Sequence, residues 1–154
     1  MPNNLTEHFT LEEFTYSDTA LAHRLDNQPP LELIENLMQT AKMMERIRTS
    51  LGNLEIKINS AYRSPPVNTL VGSTDRSDHV RGQAVDMVAP ACGSPYEIAL
   101  RLSRQVDELQ IGQLIFEVSG KSRWVHVSTR IPDNLVNRVL TIANGRTQVG
   151  VQPV

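Results

Sequence analysis

Apolar positions recur along the chain with two different periods, and the predicted elements follow from them. Ile34, Leu37, Met38, Ala41, Met44, Ile47 and Leu51 fall at spacings of three and four. Such spacing lines one face of a helix, so residues 31–51 are predicted as the longest one. Pro30 suits its start and Gly52 its stop. Ser94-Pro95-Tyr96-Glu97 opens a second helix, with Ser94 as cap and Glu97 reaching back; Ile98, Leu102, Val106 and Leu109 continue its stripe. Thr10-Leu11-Glu12-Glu13 is a second capping box, heading a short third helix with Leu11 and Phe14 on one face. Elsewhere the period is two. Residues 54–59 alternate as a half-buried strand, and residues 83–88 form a short buried strand with Ala84 and Asp86 on one face. Residues 114–118 and 124–128 make a hairpin. Residues 138–142 are one more strand, and 147–151 pair back across the Asn144-Gly145 turn.

Between these elements the sequence predicts loops. Residues 15–30 are polar and end in Pro29-Pro30, Pro65-Pro66 ends regular structure after Arg63, and residues 69–78 are rich in Gly, Ser, Thr and Asp. Helices come first, then strands interleaved with one helix. That order predicts one α+β domain over residues 1–154, a mostly antiparallel sheet with N-terminal helices packed on it. A length of 154 residues is enough for one core without disulfide staples.

Composition narrows the function by exclusion. The net charge of -2 and pI of about 6.1 offer no basic face for nucleic acid. No apolar run approaches the ~20 residues that span a bilayer. Residues 1–8 lack a basic stretch followed by an apolar one, so synthesis in the cytoplasm without an export signal is expected. The single cysteine, Cys92, beside a Gly-Ser turn, is expected to be a small packing residue. His23 is expected at the surface.

The candidate chemistry lies in two stretches. Ser77-Asp78-His79-Val80-Arg81-Gly82-Gln83-Ala84-Val85-Asp86 holds a histidine and an aspartate with six residues between them. Trp124-Val125-His126-Val127-Ser128 adds a second histidine inside an apolar strand. Two imidazoles and a carboxylate form a three-ligand set for zinc, with the fourth position left to water, as in catalytic sites. Asp86 and His126 both fall in apolar strands, where an unpaired polar group is costly and a metal explains both. A satisfied core histidine and a capping aspartate are the alternative. Glu117 ends the strand that pairs with the His126 strand and is the candidate to carry a proton.

These same segments, with Ser60-Ala61-Tyr62-Arg63-Ser64-Pro65 and Val67-Asn68, resemble the D-alanyl-D-alanine carboxypeptidase family of zinc peptidases. That group includes vancomycin-resistance dipeptidases and phage L-alanyl-D-glutamate endolysins, and it shares its fold and metal site with the Hedgehog signalling domain. The resemblance spans roughly residues 9–130. It implies zinc held by His79, Asp86 and His126, an arginine at Arg63 that binds or polarises substrate, and a supporting serine at Ser77 that can touch substrate. It implies a substrate of bacterial cell-wall peptide, cut at an amide next to a D-amino acid. Several branches carry an acidic residue three positions before the last histidine; here that position is Arg123, which cannot act as a base. Gln113-Leu114-Ile115-Phe116-Glu117 matches the segment of a branch that places the base at Glu117 instead. The Arg123 departure leaves a second reading, a zinc-containing wall-binding module without turnover. By analogy the chain is a phage or prophage product, released to the wall or carried on a virion.

Overall fold

The computed structural model describes residues 3–154. Helix α1 (Leu11–Thr15) starts as predicted: Thr10 Oγ1 accepts from the Glu13 N–H at 3.1 Å, and a Glu13 carboxylate oxygen accepts from the Thr10 N–H at 3.1 Å. The stretch predicted as loop over 15–30 contains a second helix, α2 (Asp18–Ala22), with Ser17 Oγ accepting from the Ala20 N–H. Five residues are too few to show helical periodicity; the Ser17-Asp18 cap is the signal that was there.

The long helix begins with a single 3-10 turn, Leu31–Leu33, and continues as α3 (Ile34–Ser50). Leu37, Ala41, Met44 and Ile47 of the predicted stripe are fully buried, and Met43 and Thr40 are buried beside them. Strand β1 (Lys57–Ser60) starts three residues later than the alternation suggests, leaving Leu54 exposed. The double proline does not end regular structure. It begins helix α4 (Pro65–Leu70), where residues without an N–H are tolerated in the first turn. Strand β2 (Ala84–Val88) follows, then α5 (Pro95–Ser103) behind the predicted Ser94–Glu97 capping box. Val106 and Leu109 lie past its end in turns, although Leu109 is still buried. Strands β3 (Gln113–Ser119) and β4 (Ser122–Ser128) form the hairpin; β5 (Val139–Ala143) and β6 (Arg146–Val149) form the second one.

The six strands run in the order β1-β2-β4-β3-β5-β6. The sheet is mixed: β5 lies parallel to β3, and the other neighbours are antiparallel. Val85 and Met87, Leu114 and Phe116, Val125 and Val127 point into the core with α3 and α5. By the period of two, Asp86, Glu117, Trp124 and His126 then share the opposite face. One face of the sheet makes the core, and the other is left for chemistry.

Candidate metal centre

Adjacent antiparallel strands bring two of the predicted ligands together. Asp86 on β2 stands directly across from His126 on β4. His79 comes from the loop before β2. Ligand atoms of the three residues lie within 4.8 Å of one another. His126 Nδ1 is 3.0 Å and His79 Nε2 3.3 Å from the same oxygen, Asp86 Oδ1.

The His79 loop is fastened from several sides. Ser77 Oγ accepts from the His79 N–H at 3.2 Å. Thr40 Oγ1 on α3 donates to the Gly82 carbonyl at 2.7 Å, and Asn36 Nδ2 donates to the Arg81 carbonyl at 3.0 Å. Gly82 is required here. Its φ is +71°, and a Cβ would meet Leu37 Cδ2 at 3.1 Å.

His79 Nδ1 lies 2.6 Å from the Ala61 carbonyl. A carbonyl can only accept, so Nδ1 donates, and Nε2 is the atom turned toward Asp86. Nε2 and a carboxylate oxygen 3.3 Å apart are in opposition unless a proton or a cation lies between them. A positive charge between them resolves it, and a metal cation fits that donor set. Burial alone raises the Asp86 carboxyl, but the His79 and His126 rings outweigh it and hold it well below the usual carboxylate range. Burial lowers His126, and the carboxylates of Asp86, Glu117 and Asp78 more than reverse this, so its pKa is raised.

The ligands open onto a cleft of about 360 Å³. Arg63, Ser77 and Glu117 all line it. Arg63 follows β1 and donates its backbone N–H to the His79 carbonyl. Its neighbours are clamped by the buried Asn27, whose amide donates to the Tyr62 carbonyl and accepts from the Ser64 N–H. The Arg63 Nε is buried with no hydrogen-bond partner among the described residues. Burial lowers its pKa, and Asp86 and Glu117 offset this in part. An unsatisfied buried guanidinium nitrogen at a cleft wall is a donor waiting for a ligand.

Glu117 stands directly across from Trp124 in the hairpin register. Trp124 Nε1 donates to Glu117 Oε2 at 2.6 Å. Burial, then Asp86, push the Glu117 carboxyl up; His126, the Trp124 bond and Arg63 pull it partly back. The net direction is upward, which suits a group that must both take and return a proton. Arg123 points away from this cleft. It donates to the Gly120 carbonyl and lines a different groove with Lys121 and Pro95. His23 is exposed at the end of α2, and Cys92 is half-buried against the Leu51 carbonyl.

Sequence reasoning missed a second layer. Asp78, to which the sequence pattern assigns no role, is buried and accepts from both Ser128 and Arg130. Arg130 and Arg76 also line the cleft. Among curated proteins none matches the chain. Residues 7–128, which carry all three metal-site residues together with Arg63, Ser77 and Glu117, match the profile of Peptidase M15. With most of its length under that profile and a His-Asp-His cluster at its centre, the chain belongs to the Peptidase M15 family.

Proposed function

We propose that this protein is a zinc-dependent peptidase that hydrolyses amide bonds in the stem peptides or cross-links of bacterial peptidoglycan. One observation carries the reading: His79, Asp86 and His126 converge beside a half-buried arginine, whose Nε has no partner among the described residues, and a glutamate of raised pKa, all in one cleft. His79, Asp86 and His126 would hold the zinc. Bound there, zinc supplies Lewis acidity toward the scissile carbonyl and makes water a nucleophile at neutral pH.

The protein's own groups do the rest. Trp124 fixes Oε2 of Glu117 and leaves Oε1 to receive the proton of the attacking water. Glu117 then hands that proton to the nitrogen of the leaving amine. Arg63 lies close enough to Asp86 and Glu117 to feel both charges. It stands where negative charge grows on the attacked oxygen and steadies it. Ser77 keeps the His79 backbone in place and shares the cleft wall with substrate. Wall peptide as substrate places the action outside the cytoplasm, after release or on a virion, as the resemblance implies.

The test is to incubate the purified protein with peptidoglycan, with and without chelator, and count new amino groups. Release that chelator stops and zinc restores is expected. Wall binding without any metal-dependent release would instead support the non-catalytic module.

A further inference from the structure

We propose that Arg130 is a substrate-binding residue that takes a free carboxylate of the peptide, and so sets which peptides the cleft accepts. This rests on the reading of the cleft as a peptide-cleaving site.

Arg130 is held both at its backbone and at its side chain. It lies two residues beyond β4, whose His126 faces the metal site. Its Nε donates to Asp78 Oδ1 at 2.7 Å. Its backbone N–H donates to Ser128 Oγ at 3.1 Å, and Ser128 Oγ in turn donates to Asp78 Oδ2 at 2.8 Å. The Asp78 side chain is only 4% exposed, so the anchor is a buried carboxylate with both oxygens engaged. Arg130 is thus fixed at its backbone and at one edge of its guanidinium.

The other edge is free. A guanidinium has five N–H groups, and the Asp78 bond uses one. Among the described residues the Nη groups of Arg130 find no acceptor, although the side chain lines the cleft. Neutralising Asp78 does not explain this arginine fully. Arg81 Nη1 already approaches the same Asp78 oxygen at 3.6 Å. A planar fork held by its Nε at a cleft wall, with its Nη groups unengaged among the described residues, matches the two oxygens of a carboxylate.

The surroundings favour an anion there. Asp78 is engaged by Ser128 and Arg130, and Asp86 by two imidazoles. Glu117, the remaining acidic group in the wall, accepts from the Trp124 indole. Against these stand Arg63, Arg76 and Arg130. Arg63 sits near Asp86 and Glu117, at the reacting atoms; Arg130 sits on Asp78, beside His79. The two arginines divide the work between the attacked carbonyl and a carboxylate elsewhere on the peptide.

A peptide carboxylate comes from an acidic side chain or from a free C-terminus, and the experiment separates them. N-acetyl-alanyl-glutamyl-D-alanine, its glutamine counterpart and its C-terminal amide are titrated calorimetrically into metal-free and zinc-loaded protein. Loss of one of the two carboxylates is expected to weaken binding to the native chain tenfold or more, about 1.4 kcal/mol. Arg130→Gln should reduce that preference to within about twofold. Arg130→Lys, which retains a cation for Asp78, should keep the fold and give an intermediate preference. A merely structural ion pair would lower the melting temperature of the variants and leave the preference intact. Equal binding of all three peptides by the native chain overturns the proposal, as does an unchanged preference in whichever variant folds. A preference without any peptidoglycan cleavage sinks the peptidase reading and leaves this one standing; metal-dependent cleavage without a preference does the reverse.

Discussion

Two imidazoles converge on a single carboxylate oxygen, Asp86 Oδ1, and the chemistry of the site turns on what that oxygen holds. Asp86→Asn keeps the size and removes the charge. Loss of a supporting group around a metal already lowers affinity roughly 10–100-fold, and loss of a ligand should exceed that. Zinc per chain, measured by elemental analysis after dialysis, should fall from near one to near zero. Glu117→Gln should behave differently. It lies outside the ligand set, so zinc should stay while turnover drops by about 10²–10⁴. Full activity in that variant would mean the proton carrier is elsewhere. Trp124→Phe offers a finer test. The indole bond lowers the Glu117 pKa, so its removal should let that pKa climb further. The acid limb of the kcat/KM profile should move to higher pH while zinc content holds. The three residues of the His-Asp-His cluster were legible because each sits inside a readable pattern, a strand or a Ser-x-His stretch. Asp78 and Arg130 were not legible, since their bond joins residues 52 positions apart and neither belongs to a periodic pattern.

At the scale of elements, the parts of the chain that looked bland are the ones that hold the site. The stripe on α3 was legible because seventeen helical residues display a 3.6 period clearly. The five and six residues of α2 and α4 do not, and a proline pair serves a helix start as well as a stop. The late start of β1 was equally hidden, because alternation says which face a residue takes and not where hydrogen bonding begins. Nor did the pattern reveal that β5 runs parallel to β3, which is decided by a connection through residues 129–138. Yet the segment after α2 supplies Asn27, which clamps the Arg63 backbone from both sides, and α3 supplies Thr40 and Asn36 to the His79 loop. Gly82 lies where that loop meets α3. Gly82→Ala puts a side chain at φ +71° and presses a methyl toward Leu37. A left-handed non-glycine residue costs about 1–2 kcal/mol, and the close contact adds to it. The melting temperature should fall, and zinc affinity should fall with it, because His79 stands three residues away on the same loop. A variant with reduced stability and native zinc affinity would show that α3 supports the sheet alone and not the ligand.

For the whole molecule, the same three residues tie stability to pH and to metal, and the signs can be worked out. In the metal-free protein Asp86 has a depressed pKa. A depressed carboxylate contributes stability that is present above its unfolded value of about 3.9 and is lost as pH falls below it. His126 has a raised pKa. A raised imidazole contributes stability that is present below its unfolded value of about 6.5 and is lost as pH climbs through the folded one. Both describe one interaction, a charged pair, which exists only between the two limits. The chelated protein should therefore melt highest at mildly acidic pH and lose ground as pH rises above the unfolded imidazole value of about 6.5. Zinc inverts the trend on the alkaline side. It binds neutral imidazole, so it displaces the His126 proton, and its affinity rises as that proton becomes easier to remove. Its stabilisation follows RT ln(1 + [Zn]/Kd), about 2.7 kcal/mol at a hundredfold excess over Kd. The gap between zinc-loaded and chelated melting temperatures should widen from pH 5 to pH 8, read by calorimetric scans at fixed zinc excess. A gap that stayed constant across that range would mean the proton and the metal do not compete for His126, and the cluster would then be an ion pair in its own right.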